Sequence, residues 1–113
     1  MFSLGGSHRY YLYSGQCDMR KSFDGLCGLV TDQMGRVITG GEVFVFLNRT
    51  RTHLKLLHWE SGGFVLYYKR LEKGTFLPPG DKSGPEISWS DLVLMVEGIK
   101  VIKCIQKKRY LLV

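Results

Sequence analysis

Apolar and polar positions along this chain fall into patterns that separate strands from helices. His8-Arg9-Tyr10-Tyr11-Leu12-Tyr13 is rich in aromatics and stops at Ser14-Gly15, which predicts a strand. Met19, Phe23, Leu26, Cys27, Val30 and Met34 recur at helical spacing. With Asp18 as N-cap and Gly35 as C-cap they predict a helix over about 19–33, interrupted by Gly25 and Gly28. After a turn at Gly40-Gly41, Glu42-Val43-Phe44-Val45-Phe46-Leu47 is apolar on both faces, so it reads as a central strand covered on both sides. Asn48 to Thr52 is a polar loop, and residues 53–60 and 64–72 are two more strands joined through Ser61-Gly62-Gly63.

The hairpin register can be written down. With Ser61-Gly62 as a two-residue turn, Trp59 opposes Phe64, Leu57 opposes Leu66 and Lys55 opposes Tyr68 on one face. His58–Val65, Leu56–Tyr67 and Leu54–Lys69 then share the other, and a slip of one residue would exchange the faces. Leu77 to Pro85 holds all three prolines and is a loop. Ile87-Ser88-Trp89 reads as a short strand or extended entry. Ser88 and Asp91 resemble a capping box for a helix over about 90–97 ended by Gly98, and its run from Leu92 to Val96 predicts deep burial. The expectation is an α+β fold: an antiparallel β-meander of about four to five strands with two helices packed on one face. Residues 1–98 form one domain, and 99–113 a basic C-terminal tail that is either a strand or an arm.

Charge sharpens this picture. The chain of 113 residues carries a formal net charge of +6, unevenly spread. Residues 48–73 hold Arg49, Arg51, Lys55, Lys69, Arg70 and Lys73 against only Glu60 and Glu72. The tail adds Lys100, Lys103, Lys107, Lys108 and Arg109 with no acid, whereas residues 74–98 are net acidic. Basic blocks of this kind favour polyanionic partners. No apolar run approaches the ~20 residues needed to cross a bilayer. The first residues lack the basic start and long apolar stretch of a signal peptide, so the cytoplasm is the default expectation. Cys17, Cys27 and Cys104 are odd in number and widely spaced, which argues against a disulfide framework and predicts mostly buried free thiols.

Candidate chemistry concentrates in the hairpin. Arg49, Arg51, Lys55, Lys69 and Arg70 form either a phosphate-binding stripe or a solvated sheet edge whose charges deter aggregation. Lys69 and Arg70 are neighbours in a strand and point to opposite faces. Trp59, Phe64, Tyr67 and Tyr68 either stack on bases or form cross-strand pairs. Arg20 and Lys21 either dock a partner or belong to a helix surface with an Arg20–Asp24 ion pair. Lys107, Lys108 and Arg109 make the tail a DNA-binding arm or keep it soluble. Asp18, Asp24 and Glu97 do not suit a two-metal centre, because two share one helical segment and the third sits beside a capping glycine. His8, His53 and His58 do not pair at ligand spacing, so no metal and no cofactor are expected.

An ordered set of short stretches carries a resemblance. These are Asp18-Met19-Arg20-Lys21-Ser22-Phe23-Asp24-Gly25-Leu26, Val43-Phe44-Val45-Phe46 with Asn48-Arg49, and Leu54-Lys55-Leu56-Leu57 with Trp59. Leu66-Tyr67-Tyr68-Lys69-Arg70-Leu71-Glu72 with Gly74 and Phe76, and then Glu97-Gly98-Ile99, complete it. In order and spacing the chain resembles the TnpB-type accessory proteins encoded by the second open reading frame of insertion sequences of family sixty-six. It departs from their pattern at Thr50-Arg51-Thr52, where the family often has Gly-Asp, and in its longer basic tail. The resemblance implies a part in transposition beside a larger transposase that performs the strand chemistry, and it transfers no catalytic residue. The expected function is therefore non-catalytic binding of DNA, of the transposase of the same element, or of both. A protein–protein adaptor without direct DNA binding is the alternative, and an uncovered edge strand leaves room for a homodimer.

Overall fold

The strand that is apolar on both faces is the organising element. In the computed structural model, which describes residues 4–79 and 84–97, Val43–Leu47 (β2) is buried at every position and lies at the centre of a five-stranded sheet. β1 is Tyr10–Leu12, β3 is His53–Glu60, β4 is Gly63–Arg70 and β5 is Glu86–Ile87. The sheet order is β4-β3-β2-β1-β5. β3 and β4 form the hairpin in the register written above, with Trp59 opposite Phe64, Lys55 opposite Tyr68 and Leu54 opposite Lys69. Ser61 and Gly62 supply its turn, both with positive φ (50° and 83°).

The α+β class holds, with two departures from the expected arrangement. First, β1 runs parallel to β2, with Tyr10 beside Val43, so the sheet is mixed rather than a pure antiparallel meander. The cause is the crossover: parallel neighbours need a long connection, and the helical segment between β1 and β2 provides it. Second, the helices lie on opposite faces of the sheet, not on one. Val43, Val45, Leu47, Leu54 and Leu56 pack with Leu92, Met95 and Val96 of the second helix, α2 (Trp89–Val96). Phe44, Phe46 and Leu57 pack with Leu26 of the first helix, α1 (Phe23–Gly28), and with Val30 beyond it. A strand with apolar side chains on both faces requires cover on both, since each exposed Phe or Val would forfeit about 2 kcal/mol of burial.

The first helix is also shorter at its start than the spacing predicts. It begins at Phe23 after Ser22 and continues as π-helical turns over Leu29–Met34, ending at Gly35 in the left-handed conformation (φ 64°). Asp18 does not cap it. The Asp18 carboxylate accepts instead from the Arg20 backbone N–H at 2.9 Å and from its guanidinium, closing a local turn. The Arg20–Asp24 pair is thereby replaced by Arg20–Asp18 at 2.7 Å. The second helix matches its signals: the Ser88 hydroxyl accepts from Asp91 N–H at 3.1 Å. Leu92, Met95 and Val96 of this helix are buried, whereas Val93 and Leu94 are only partly so. The basic tail, with Lys107, Lys108 and Arg109, lies outside the described residues.

Candidate functional site

The cations of the hairpin divide into two groups. Lys55 is not on the surface: only 4% of it is exposed. It sits on the face of β3 that also carries Leu57, opposite Phe46 of β2, beneath the turn before α1. Its ammonium donates to the carbonyls of Met19 (2.8 Å) and Lys21 (2.6 Å) and lies 4.6 Å from the centre of the Tyr68 ring. Those two bonds hold the 18–22 turn in place of a further helical turn. Lys69, on the opposite face of the hairpin, donates to the Val96 carbonyl at 2.7 Å, the C-terminal end of α2 where a cation is favoured. Lys55 is therefore not available for a phosphate stripe, and Lys69 is half-buried on a helix end.

Arg49, Arg51 and Arg70 are exposed. The first two sit on the turn between β2 and β3, and Arg70 stands beside that turn because it pairs with His53 at the start of β3. Arg70 is 3.4 Å from Glu72, both well exposed. Among the described residues no acid lies within ion-pairing distance of Arg49 or Arg51.

The turn that presents them is built around Asn48. Its Oδ1 accepts from the Thr52 N–H (2.9 Å) and the His53 N–H (3.1 Å). Its Nδ2 donates to the hydroxyls of Thr50 and Thr52, both at 3.2 Å. Arg51 is held in the left-handed region at φ 58°, a conformation that costs a non-glycine residue about 1 kcal/mol or more. Its backbone is pinned on both sides: Arg51 N–H donates to the Asn48 carbonyl at 3.1 Å, and Phe76 N–H donates to the Arg51 carbonyl at 2.7 Å. Phe76 is fully buried, so the turn is tied to the core.

Opposite this turn runs the chain after β1. Tyr13 N–H donates to the Val45 carbonyl and Cys17 N–H to the Leu47 carbonyl, both at 2.9 Å, so Ser14, Gly15 and Gln16 loop away from the sheet between two anchors. Tyr13 packs on Phe46 with ring centres 5.9 Å apart. Between that loop and the Asn48–Arg51 turn lies a groove of about 220 Å³ lined by Tyr13, Gln16, Asn48, Arg49, Arg51 and Pro78, among others. Tyr13, Gln16 and Asn48 are not among the residues that the sequence pattern singles out for a site. Only Asn48, a turn-forming type directly after an apolar strand, carried a local signal.

The remaining candidates are dispersed. Trp59 and Phe64 meet edge to face at 4.9 Å as a cross-strand pair. Tyr67 packs against the core under α2, while Tyr68 is 51% exposed beside Lys55. Arg20 and Lys21 lie on the 18–22 turn, exposed, with Arg20 engaged by Asp18. This pairing holds the Asp18 carboxyl well below the usual carboxylate range, chiefly through the Arg20 side-chain hydrogen bond. Asp24 lies in α1 and Glu97 caps the end of α2, on opposite faces of the sheet, so they cannot converge on one metal ion. His8 and His58 meet edge on at 5.0 Å, His53 joins the Asn48 turn, and no group of three or more ligand-type side chains forms among the described residues. Burial raises the thiol pKa of Cys17, and more weakly surrounded Cys27 shifts the same way. Among the described residues no helix is long and apolar enough to cross a membrane.

Comparison with known proteins bears on what this arrangement serves. Two proteins of Sinorhizobium fredii (strain NBRC 101917 / NGR234) are similar to the chain, each bearing the description uncharacterized protein. One, y4hO, is 31% identical over 100 residues, covering 88% of this chain and 87% of its own. The other, y4jC, is 31% identical over 83 residues, covering 73% and 71%. No solved structure gives a significant match. The family model described as IS66 Orf2 like protein matches residues 8–106, a span that takes in the sheet, both helices and the Asn48 turn. The chain therefore belongs to the IS66 Orf2-like family, accessory proteins of insertion sequences.

Proposed function

We propose that this transposition accessory protein binds DNA, through phosphate contacts made at the end of the sheet where Arg49, Arg51 and Arg70 gather. The observation that carries the reading is the Asn48 turn. It holds two exposed arginines on a backbone pinned to the core, with Arg51 in a left-handed conformation and, among the described residues, no acid paired to either. Local strain kept by surrounding bonds is a feature of functional sites. A turn whose backbone is already ordered presents its arginines to phosphate without the further cost of ordering the loop. The tail cations Lys107, Lys108 and Arg109 raise the chain's positive charge further, and the protein contributes binding rather than strand chemistry.

Fluorescence anisotropy with labelled element-end DNA and scrambled DNA, titrated across salt, tests this. Binding that weakens steeply with salt is the expected result. Replacing Arg49, Arg51 and Arg70 by Gln should flatten the slope by about three units, near 0.9 per phosphate contact. Absence of binding at low salt, or an unchanged slope in the triple variant, overturns the reading.

Binding of a protein partner along the sheet edge is the alternative. Among the described residues β4 is an edge strand of eight residues with Val65 46% and Tyr68 51% exposed, a surface suited to strand addition by a protein partner such as the transposase. Capture of purified transposase by the nuclease-treated protein, lost on Val65→Lys, is the result this reading requires.

A further inference from the structure

We infer that the groove between Tyr13 and the Asn48 turn receives one unpaired nucleotide of a DNA strand, its phosphate on Arg49 and Arg51 and its base against the Tyr13 ring. This rests on the DNA-binding reading above and names the form of DNA it concerns. Size comes first. At about 220 Å³ the groove is smaller than the ~300–1,000 Å³ of sites that enclose a whole small-molecule ligand, so it grips a part of something larger. Its chemistry comes next: the lining joins two arginines to a tyrosine, with Ser14 and Gln16 as polar neighbours. A cationic track beside an aromatic ring is how single strands are held without regard to sequence, because every base has a flat face and every nucleotide a phosphate. A duplex keeps its base faces stacked inside and offers only backbone and base edges, so it would leave the Tyr13 ring without a stacking partner.

The Tyr13 ring is set in place. It lies close to Gly15, where an added Cβ would come within 2.7 Å of the tyrosine hydroxyl, and its centre is 5.9 Å from that of the Phe46 ring, tilted by 47°. Gly15 therefore has a steric role: any larger residue displaces the ring. Tyr13 is partly exposed, so its ring is neither fully spent on the core nor free to swing away. The Asn48 side chain is committed to the turn on both its oxygen and its nitrogen, which leaves Ser14 and Gln16 to meet a base edge and predicts weak base preference.

The test compares three labelled probes by anisotropy on the full chain: an oligo-dT strand, an abasic strand of the same length, and a blunt duplex. Oligo-dT should bind at least about tenfold more tightly than the abasic strand, as base–aromatic stacking requires. Tyr13→Leu should bring that ratio close to one while leaving the salt slope unchanged, and Tyr13→Phe should keep it. Should Tyr13→Leu fail to fold, Gly15→Ala displaces the ring without removing it and should also lower the ratio. Equal binding of oligo-dT and abasic strands by the native protein overturns the inference but leaves phosphate binding intact. So does clear preference for the duplex. Failure of all three probes to bind at low salt overturns the DNA-binding reading itself.

Discussion

Lys55 and Arg51 sit four residues apart in one basic stretch, and the fold treats them in opposite ways. Lys55 lies mid-strand, where alternation turns its side chain onto the face that carries Phe46 and the 18–22 turn, and it is buried. Arg51 lies in the turn, where none of the described strands covers it, and it is exposed. The first cation is structural, satisfying two backbone carbonyls that would otherwise lack partners. The second is held away from the core by a strained backbone. Local net charge therefore overstates the surface a polyanion can reach, because part of it is consumed inside the fold.

The largest expected effect falls on the buried member. Lys55→Met keeps the aliphatic stem but strands the Met19 and Lys21 carbonyls, and should cost about 3 kcal/mol in urea unfolding. The folded variant should retain the native salt slope for DNA; a slope lower by one unit would place Lys55 on phosphate and erase the contrast. Next, Asn48→Ala removes the acceptor shared by two backbone N–H groups and should cost about 2 kcal/mol. Unlike Lys55→Met it should also weaken DNA binding, because it loosens the turn under both arginines.

Arg51→Gly should act in the reverse direction on stability. Glycine accepts φ 58° without the Cβ penalty, so the variant should be more stable by up to about 1 kcal/mol while its salt slope falls by about one unit. Loss of stability would mean that the arginine side chain, rather than its backbone, supports the turn. The smallest effect is the pH response of the Asp18–Arg20 pair. The folded-state pKa of Asp18 is depressed, so its contribution is present above the ordinary aspartate range and lost as pH falls below about 4. Both groups are solvent-exposed and screened. Asp18→Asn should therefore flatten the acid limb of the stability curve only slightly, and only at low salt.

Much of the fold is legible without coordinates. The β3–β4 register follows from a two-residue Ser61-Gly62 turn and period-two alternation, since both constraints act between neighbours in the chain. The start of α2 follows from Ser88 and Asp91 for the same reason. The central place of β2 follows from Val43–Leu47, apolar on both faces, but the division of the two helices between those faces departs from the expected one-sided packing. The helix start was not legible, because a distant lysine on β3 claims the carbonyls of Met19 and Lys21 that a longer helix would have used.

The candidate site divides along the same line. The sequence alone determined that residues 48–73 are strongly basic, that Arg49 and Arg51 lie in a turn, and that the chain carries the ordered pattern of its family. Tertiary structure decided which cations reach solvent, that β1 runs parallel to β2, and that Tyr13 and Gly15 face the Asn48 turn across a groove. Residues 13–16 and 48–51 are separated by more than thirty positions, and only the pairing of β1 with β2 brings them together. Turn type, capping and alternation are set by energies between near neighbours. Burial of a charge and the walls of a groove depend on contacts whose partners the chain supplies from far away.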